Sequence, residues 1–262
     1  MDLEIKGKRA LVLASSRGLG LGIAERLAGE GAEIIICGRS EGRLAESAEA
    51  ITARGGGKAT HVVADLSDPG VTDHLEAAVR ERFGDLDILV NNTGGPPPGA
   101  MKDAKLEIVE KQFEMMVLRV MDITARFLPA MQKSGWGRVL TVASSGVIQP
   151  IPNLGLSNAL RSALVGWSKS MANELAKDGV TFNMLLPGRI QTERVEELDE
   201  ASSKRSGKSI EDIQAAARAA IPAGRYGTVE EFASVAAFLV SGPASYVTGS
   251  LLRCDGGSIK SV

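Results

Sequence analysis

The chain has 262 residues, 44% hydrophobic and 24% charged, with a formal net charge of -2, which suits one α/β sheet domain with a full-sized core and argues against disorder. Near-neutral charge without a block of one sign gives no footprint for nucleic acid or for an anionic membrane. Cys37 and Cys254, the two cysteines, lie far apart and outside any ligand-like spacing; they offer neither a disulfide framework nor a metal site and point to a reducing, cytoplasmic setting.

From the amino terminus, Met1 to Arg9 alternates charged and apolar residues, and the run after it is too short for a signal peptide or membrane span. Short apolar runs then recur at Ala10 to Leu13, Glu33 to Cys37, Thr60 to Ala64, Ile88 to Asn91, Val139 to Val142, Val180 to Leu186 and Ser250 to Cys254. They are continuous rather than alternating in polarity, as in parallel strands covered on both faces. Between them, helical spacing runs through Gly20 to Gly29, Glu41 to Arg54, Asp68 to Phe83, Glu107 to Lys133, Ser157 to Lys177 and Val229 to Leu239. Ser40 is placed to cap the second helix, and Ser67, Asp68 and Pro69 to open the third. The alternation predicts a doubly wound α/β domain in three layers, with seven parallel strands, over residues 1–262. Glu193 to Ser209, rich in charged residues and serine, reads as a mobile surface insert. Because ligands of such sheets sit beyond the carboxyl ends of the strands, residues 193–220 are expected either to cover a substrate or to form a solvated loop.

After the first strand, Ser15, Ser16, Arg17, Gly18, Leu19 and Gly20 lead into the first helix. Glycine at such a turn lets backbone approach a pyrophosphate, which the helix amino terminus then receives. About 20 residues further on, where an acidic residue would bind a ribose 2′-hydroxyl, stands Arg39. With Arg17 and Ser16 it forms a cationic, hydrogen-bonding setting for a 2′-phosphate, so NADP(H) is expected in preference to NAD(H), unless both arginines are merely solvated.

These residues resemble the short-chain dehydrogenases/reductases, and among them the 3-oxoacyl-acyl-carrier-protein reductases. The likeness runs the whole chain: the glycine loop, Asp65-Leu66, Asn91-Asn92-Thr93-Gly94, Ser144, Asn183 through Pro187-Gly188 to Thr192, then Thr248-Gly249 and Asp255-Gly256-Gly257. The resemblance implies a Rossmann-type fold. It also implies that Asp65 and Leu66 contact adenine, that Asn91, Thr93 and Gly94 line the nucleotide channel, and that Pro187, Gly188, Ile190 and Thr192 hold the nicotinamide end. Read from the residues alone, Asn91-Asn92 could instead tie strands together, and Pro187-Gly188 could serve only as a turn.

The chemistry of the family uses a tyrosine, a lysine one helical turn later, an upstream serine and an asparagine on the preceding helix. Here the tyrosine position reads Ser157 and the lysine position Arg161, and the asparagine position falls near Met116, in a segment with no amide except Gln112; Ser144 remains, with Ser145 as its alternative. Ala14 replaces a loop glycine, a change expected to cost little. A serine hydroxyl is too weak an acid to replace the tyrosine, and Tyr226, Tyr246, His61 and His74 read as structural or surface residues. The expectation is an oxidoreductase acting on a small carbonyl or secondary alcohol, with Ser144, Ser157 and Arg161 as its modified catalytic group, Arg161 either binding the cofactor ribose or stabilising a developing alkoxide, and no metal. The alternative is an NADP(H)-binding sensor or scaffold that has lost catalysis. Excess apolar surface around Met115, Met116, Met121, Trp167 and Met171, together with the resemblance, predicts a homotetramer or homodimer.

Overall fold

The computed structural model describes residues 1–261. Its strands are β1 (Arg9–Val12), β2 (Glu33–Gly38), β3 (Ala59–Val63), β4 (Ile88–Asn91), β5 (Gly137–Val142), β6 (Val180–Pro187) and β7 (Leu251–Cys254). Its helices are α1 (Gly18–Gly29), α2 (Glu41–Ala53), α3 (Val71–Phe83), α4 (Leu106–Phe113), α5 (Arg119–Ser134), α6 (Gly155–Leu175), α7 (Glu193–Ser206), α8 (Ile210–Ala219) and α9 (Val229–Leu239). All seven strands pair in parallel in the order β3-β2-β1-β4-β5-β6-β7, so the winding direction reverses between β1 and β4. That reversal opens the crevice in which such sheets bind ligands.

The continuous apolar runs divide by residue parity. Ala10 and Val12 of β1, with Ile34 and Ile36 of β2, pack toward α1, α2 and α9; Leu11, Leu13, Ile35 and Cys37 pack toward the opposite layer with α3, α5 and α6. Each fully buried Leu or Ile stabilises the sheet by about 1.5–3 kcal/mol, which is why helices cover both faces. Gly22 lets α1 lie directly on Val229 of α9, where a Cβ would overlap the valine side chain.

Local structure departs from the sequence reading at four places. The stretch Glu107 to Lys133 is not one helix: α4 and α5 are joined by a π turn at Glu114–Leu118. Periodicity hides the break because Met116, Val117 and Val120, within and just after it, are all buried. Glu193 to Ser209 is largely helical rather than an irregular insert. Thr192 and Ser209 accept from the N–H groups of Val195 and Asp212, acids fill both first turns, and Lys204 with Arg205 fills the last turn of α7. Ser40 holds the cap position of α2 without a side-chain cap bond. The third helix begins at Val71, while Asp68 accepts from Gly70 N at 2.8 Å and closes the turn before it.

Candidate functional site

The residues singled out for the cofactor, and Ser144, lie at the carboxyl end of a strand or in the loop or first helical turn after it, whereas Ser157 and Arg161 lie on α6. In the loop after β1, Ser15 is fully buried; its hydroxyl donates to Val12 O at 2.6 Å and accepts from Cys37 N at 3.0 Å, so its side chain ties β1 to β2. Ser16 packs beside Gly38, where a Cβ would lie 3.1 Å from its Oγ. Gly18 has φ +58°, and a Cβ on Gly20 would lie 2.6 Å from Ala14 O and 2.8 Å from Asn92 Nδ2. Ala14 itself has φ +46°, a left-handed conformation that carries a steric penalty for any residue with a Cβ, so the replacement of glycine here is not as cheap as expected. Leu19 is half-buried against the core layer of α1 and α9.

No side chain caps α1, which leaves its first-turn N–H groups at the crevice. Cations surround that turn. Arg17 pairs with Glu193 and, at 3.5 Å, with Glu197 of α7; Arg43 on α2 lies 3.8 Å from Glu193. Arg39 is exposed at the end of β2 and forms no ion pair among the described residues. Next to it on the sheet, Asp65 accepts from the N–H and hydroxyl of Ser67 at 2.9 and 2.8 Å, bonds that hold its carboxyl below the usual range with help from Arg39. Leu66 is buried in the apolar layer with Val71 and Leu75. The glycine cradle and the uncapped helix terminus fit the pyrophosphate of a dinucleotide.

Asn91 and Asn92 do tie elements together. Asn91 donates from Nδ2 to Thr124 Oγ1 of α5 at 3.0 Å, with its buried Oδ1 unpartnered, and Asn92 donates to Leu13 O and Ala14 O at 3.3 and 3.1 Å. Thr93 is half-buried and Gly94 exposed at the crevice edge.

Beyond β5, Ser144 Oγ accepts from Gly146 N at 3.1 Å and Ser145 is buried. A Cβ on Gly146 would lie 3.3 Å from Ser144 Oγ and would overlap the amide of Asn158, which places Ser144 against the start of α6. Ser157 is half-buried there, and Asn158 brackets Ile151, donating to its carbonyl at 3.0 Å. Arg161 follows Ser157 by one turn on the same helix face. It is 8% exposed and donates to Val142 O at 2.9 Å and to Thr93 O at 3.5 Å. Burial, reinforced by the charge of Arg194, pushes its pKa down to about 10, so the guanidinium stays charged near neutrality. Met116, at the asparagine position, is buried in the apolar cluster that also holds Leu160 and Leu164 of α6.

Pro187 and Gly188 close β6, with Gly188 packed on Asp255. Ile190 is buried and bridges to Gly227, and Thr192 caps α7. The sequence reading missed what holds α7 in place. Asp199, fully buried, pairs with Arg189 and accepts from Tyr226 Oη at 3.0 Å, while Arg194 donates to Pro96 O at 2.9 Å. Thr192 followed by early acids and late bases signalled the helix itself. Tyr226 is thereby structural, Tyr246 is fully exposed, His61 lies in β3 and His74 on α3. No group of metal-ligating side chains, and no helix long and apolar enough to cross a membrane, occurs among the described residues.

Comparison with known proteins agrees with this architecture. Residues 13–258 match the family model described as enoyl-(acyl carrier protein) reductase. The 3-oxoacyl-[acyl-carrier-protein] reductase FabG of Escherichia coli is 34% identical over 257 residues, covering 97% of this chain and 98% of the relative. The NADPH-dependent reductase BacG of Bacillus subtilis is 30% identical, covering 97% and 99%. Among solved structures, L-sorbose reductase from Gluconobacter frateurii, complexed with NADPH and L-sorbose, superposes with a TM-score of 0.94 at 32% identity over 100% of both chains. With a seven-stranded parallel sheet wound as theirs is and full-length similarity to these reductases, the chain belongs to the short-chain dehydrogenase/reductase family of oxidoreductases.

Proposed function

We propose that this chain is an NADP(H)-dependent oxidoreductase that reduces a carbonyl, such as a 3-oxoacyl thioester, or oxidises a secondary alcohol, through an atypical active site. The uncapped first turn of α1 amid Arg17, Arg39 and Arg43 carries the preference for NADP(H) over NAD(H). Ser16, Gly18, Leu19 and Gly20 hold the pyrophosphate, and Ser15 and Asn91, both buried and bonded to the protein, shape the turn and the channel wall from within rather than touch the nucleotide; Asp65 and Leu66 contact adenine; Thr93 and Gly94 line the channel; Pro187, Gly188, Ile190 and Thr192 hold the nicotinamide end. When bound, the cofactor supplies or accepts the hydride. Ser144 and Ser157 orient the substrate oxygen, Arg161 stabilises negative charge developing on it, and water, passed along the two hydroxyls, supplies the proton. Helices α7 and α8, over residues 193–220, cover the substrate.

Fluorescence titration with NADPH and NADH, followed by turnover of a 3-oxoacyl thioester and simple ketones, tests this reading. NADPH binding tighter than NADH binding, with measurable turnover, supports it. Tight NADPH binding without turnover on any substrate favours an NADP(H)-binding sensor or scaffold, a reading that Ser157 at the proton-donor position already supports. Exposed Leu106, Ile108, Phe113 and Leu118 along α4 and the π turn support a homodimer or homotetramer built on that face.

A further inference from the structure

We infer that the reactive pocket takes a carbonyl compound bearing a carboxylate, an oxo acid or the matching hydroxy acid, and that Arg161 and Arg194 are the receptors of that carboxylate. The inference rests on the proposed oxidoreductase function and narrows its substrate class. Arg161 is a permanent charge in a buried position, yet both its hydrogen bonds go to backbone carbonyls and none of its nitrogens pairs with a carboxylate among the described residues. An ion taken out of water without a counter-charge is costly, and a guanidinium does not escape the cost by losing its proton. The ribose hydroxyls that the family's lysine would meet are neutral and leave the charge unbalanced.

A second guanidinium reinforces the first. Arg194 and Arg161 are anchored on the same short segment, through Pro96 O and Thr93 O. Arg194 retains a carboxylate neighbour, Glu197 at 3.1 Å, whereas Arg161 has none. Ser157 lies one turn before Arg161, and such pairs have Cβ atoms roughly 5–6 Å apart. Two of the five Arg161 N–H groups go to Val142 O and Thr93 O, and the remaining donors can meet a carboxylate two or three bonds from a carbonyl held by Ser144 and Ser157 while the same charge stabilises the developing oxyanion.

The test is calorimetric titration of the protein, with and without NADP+, using pyruvate, acetoacetate and 3-oxohexanoate, each beside its methyl ester, and inorganic phosphate as a separate arm. At least one acid should bind at least tenfold more tightly than its ester. Arg161→Met and Arg194→Gln should each reduce that preference several-fold, and Arg161→Lys should retain part of it. Arg194 is partly exposed, so its variant remains informative if Arg161→Met fails to fold. Acids that bind no better than esters, a preference that survives in Arg194→Gln, or phosphate displacing the acids at equal concentration would overturn the inference. Failure to bind NADP+ while the acid preference persists would instead count against the oxidoreductase reading alone.

Discussion

Arg17 and Glu193 form an ion pair that joins the glycine loop after β1 to the first residue of α7. The same guanidinium is the group proposed to meet a 2′-phosphate, so Glu193 and the phosphate compete for it. Glu193→Gln is expected to tighten NADPH binding several-fold, with little change in NADH binding or melting temperature, because the pair is solvent-exposed. Arg17→Met should weaken NADPH binding on the order of tenfold more than NADH binding. Titrations at low and high salt check both, since the NADPH effect shrinks as ionic strength rises. Equal losses for the two nucleotides in Arg17→Met would remove Arg17 from phosphate recognition.

Ser157 is half-buried in the first turn of α6 and Arg161 occupies the next turn, so Ser157→Tyr with Arg161→Lys rebuilds the family's pair on an existing helix face. A positioned acid–base group contributes about 10²–10⁴-fold, and kcat for a ketone substrate should rise toward that range. Tyrosine alone should gain less, since Arg161 points at Val142 O and does not reproduce the lysine's position. No gain from the double variant, with NADPH binding intact, would mean that the pocket is built around the serine.

How much of this was legible in the sequence depended on the range of the interactions. Leu11 to Leu13 and Ile34 to Ile36 announced buried parallel strands because every residue in them is apolar, and the positions of Gly18, Gly20 and Arg39 carried the cofactor reading. The π turn was invisible because the buried residues run on through it. Arg194 to Pro96 and Asp199 to Tyr226 were invisible for another reason: each joins segments far apart in the chain, and no local pattern marks which of several arginines or aspartates will be buried. The cost at Ala14 was hidden too, since residue size says nothing of φ.

That cost is measurable. A left-handed residue with a Cβ is penalised by about 1–2 kcal/mol, and glycine gives back about 0.4–1 kcal/mol through its freer unfolded chain. Ala14→Gly should therefore stabilise the protein by up to about 1.5 kcal/mol, read as a rise in urea midpoint at unchanged slope. A lower midpoint would show that the loop relaxes around Ala14 without strain.

At the opposite end of the sheet Asp87 accepts from Arg9 Nε at 2.8 Å, from Arg9 Nη2 at 3.1 Å and from the Arg9 backbone N–H at 2.9 Å, locking β1 to the start of β4. Burial opposes ionisation of Asp87, but the Arg9 bonds outweigh it and hold the carboxyl below its usual range. A depressed folded-state pKa contributes stability that is present above the unfolded value, about 3.9, and fades as the pH falls through the folded one. Asp87→Asn keeps the shape but removes the charge, and should cost about 1–3 kcal/mol near neutrality. The gap to the parent protein should narrow below about pH 4, where the parent carboxyl also takes up a proton. NADPH affinity should not change, because the pair lies at the amino ends of the strands. Denaturant titrations of both proteins from pH 3 to 8 follow the gap directly, and a difference independent of pH would assign the effect to lost packing rather than to the ion pair.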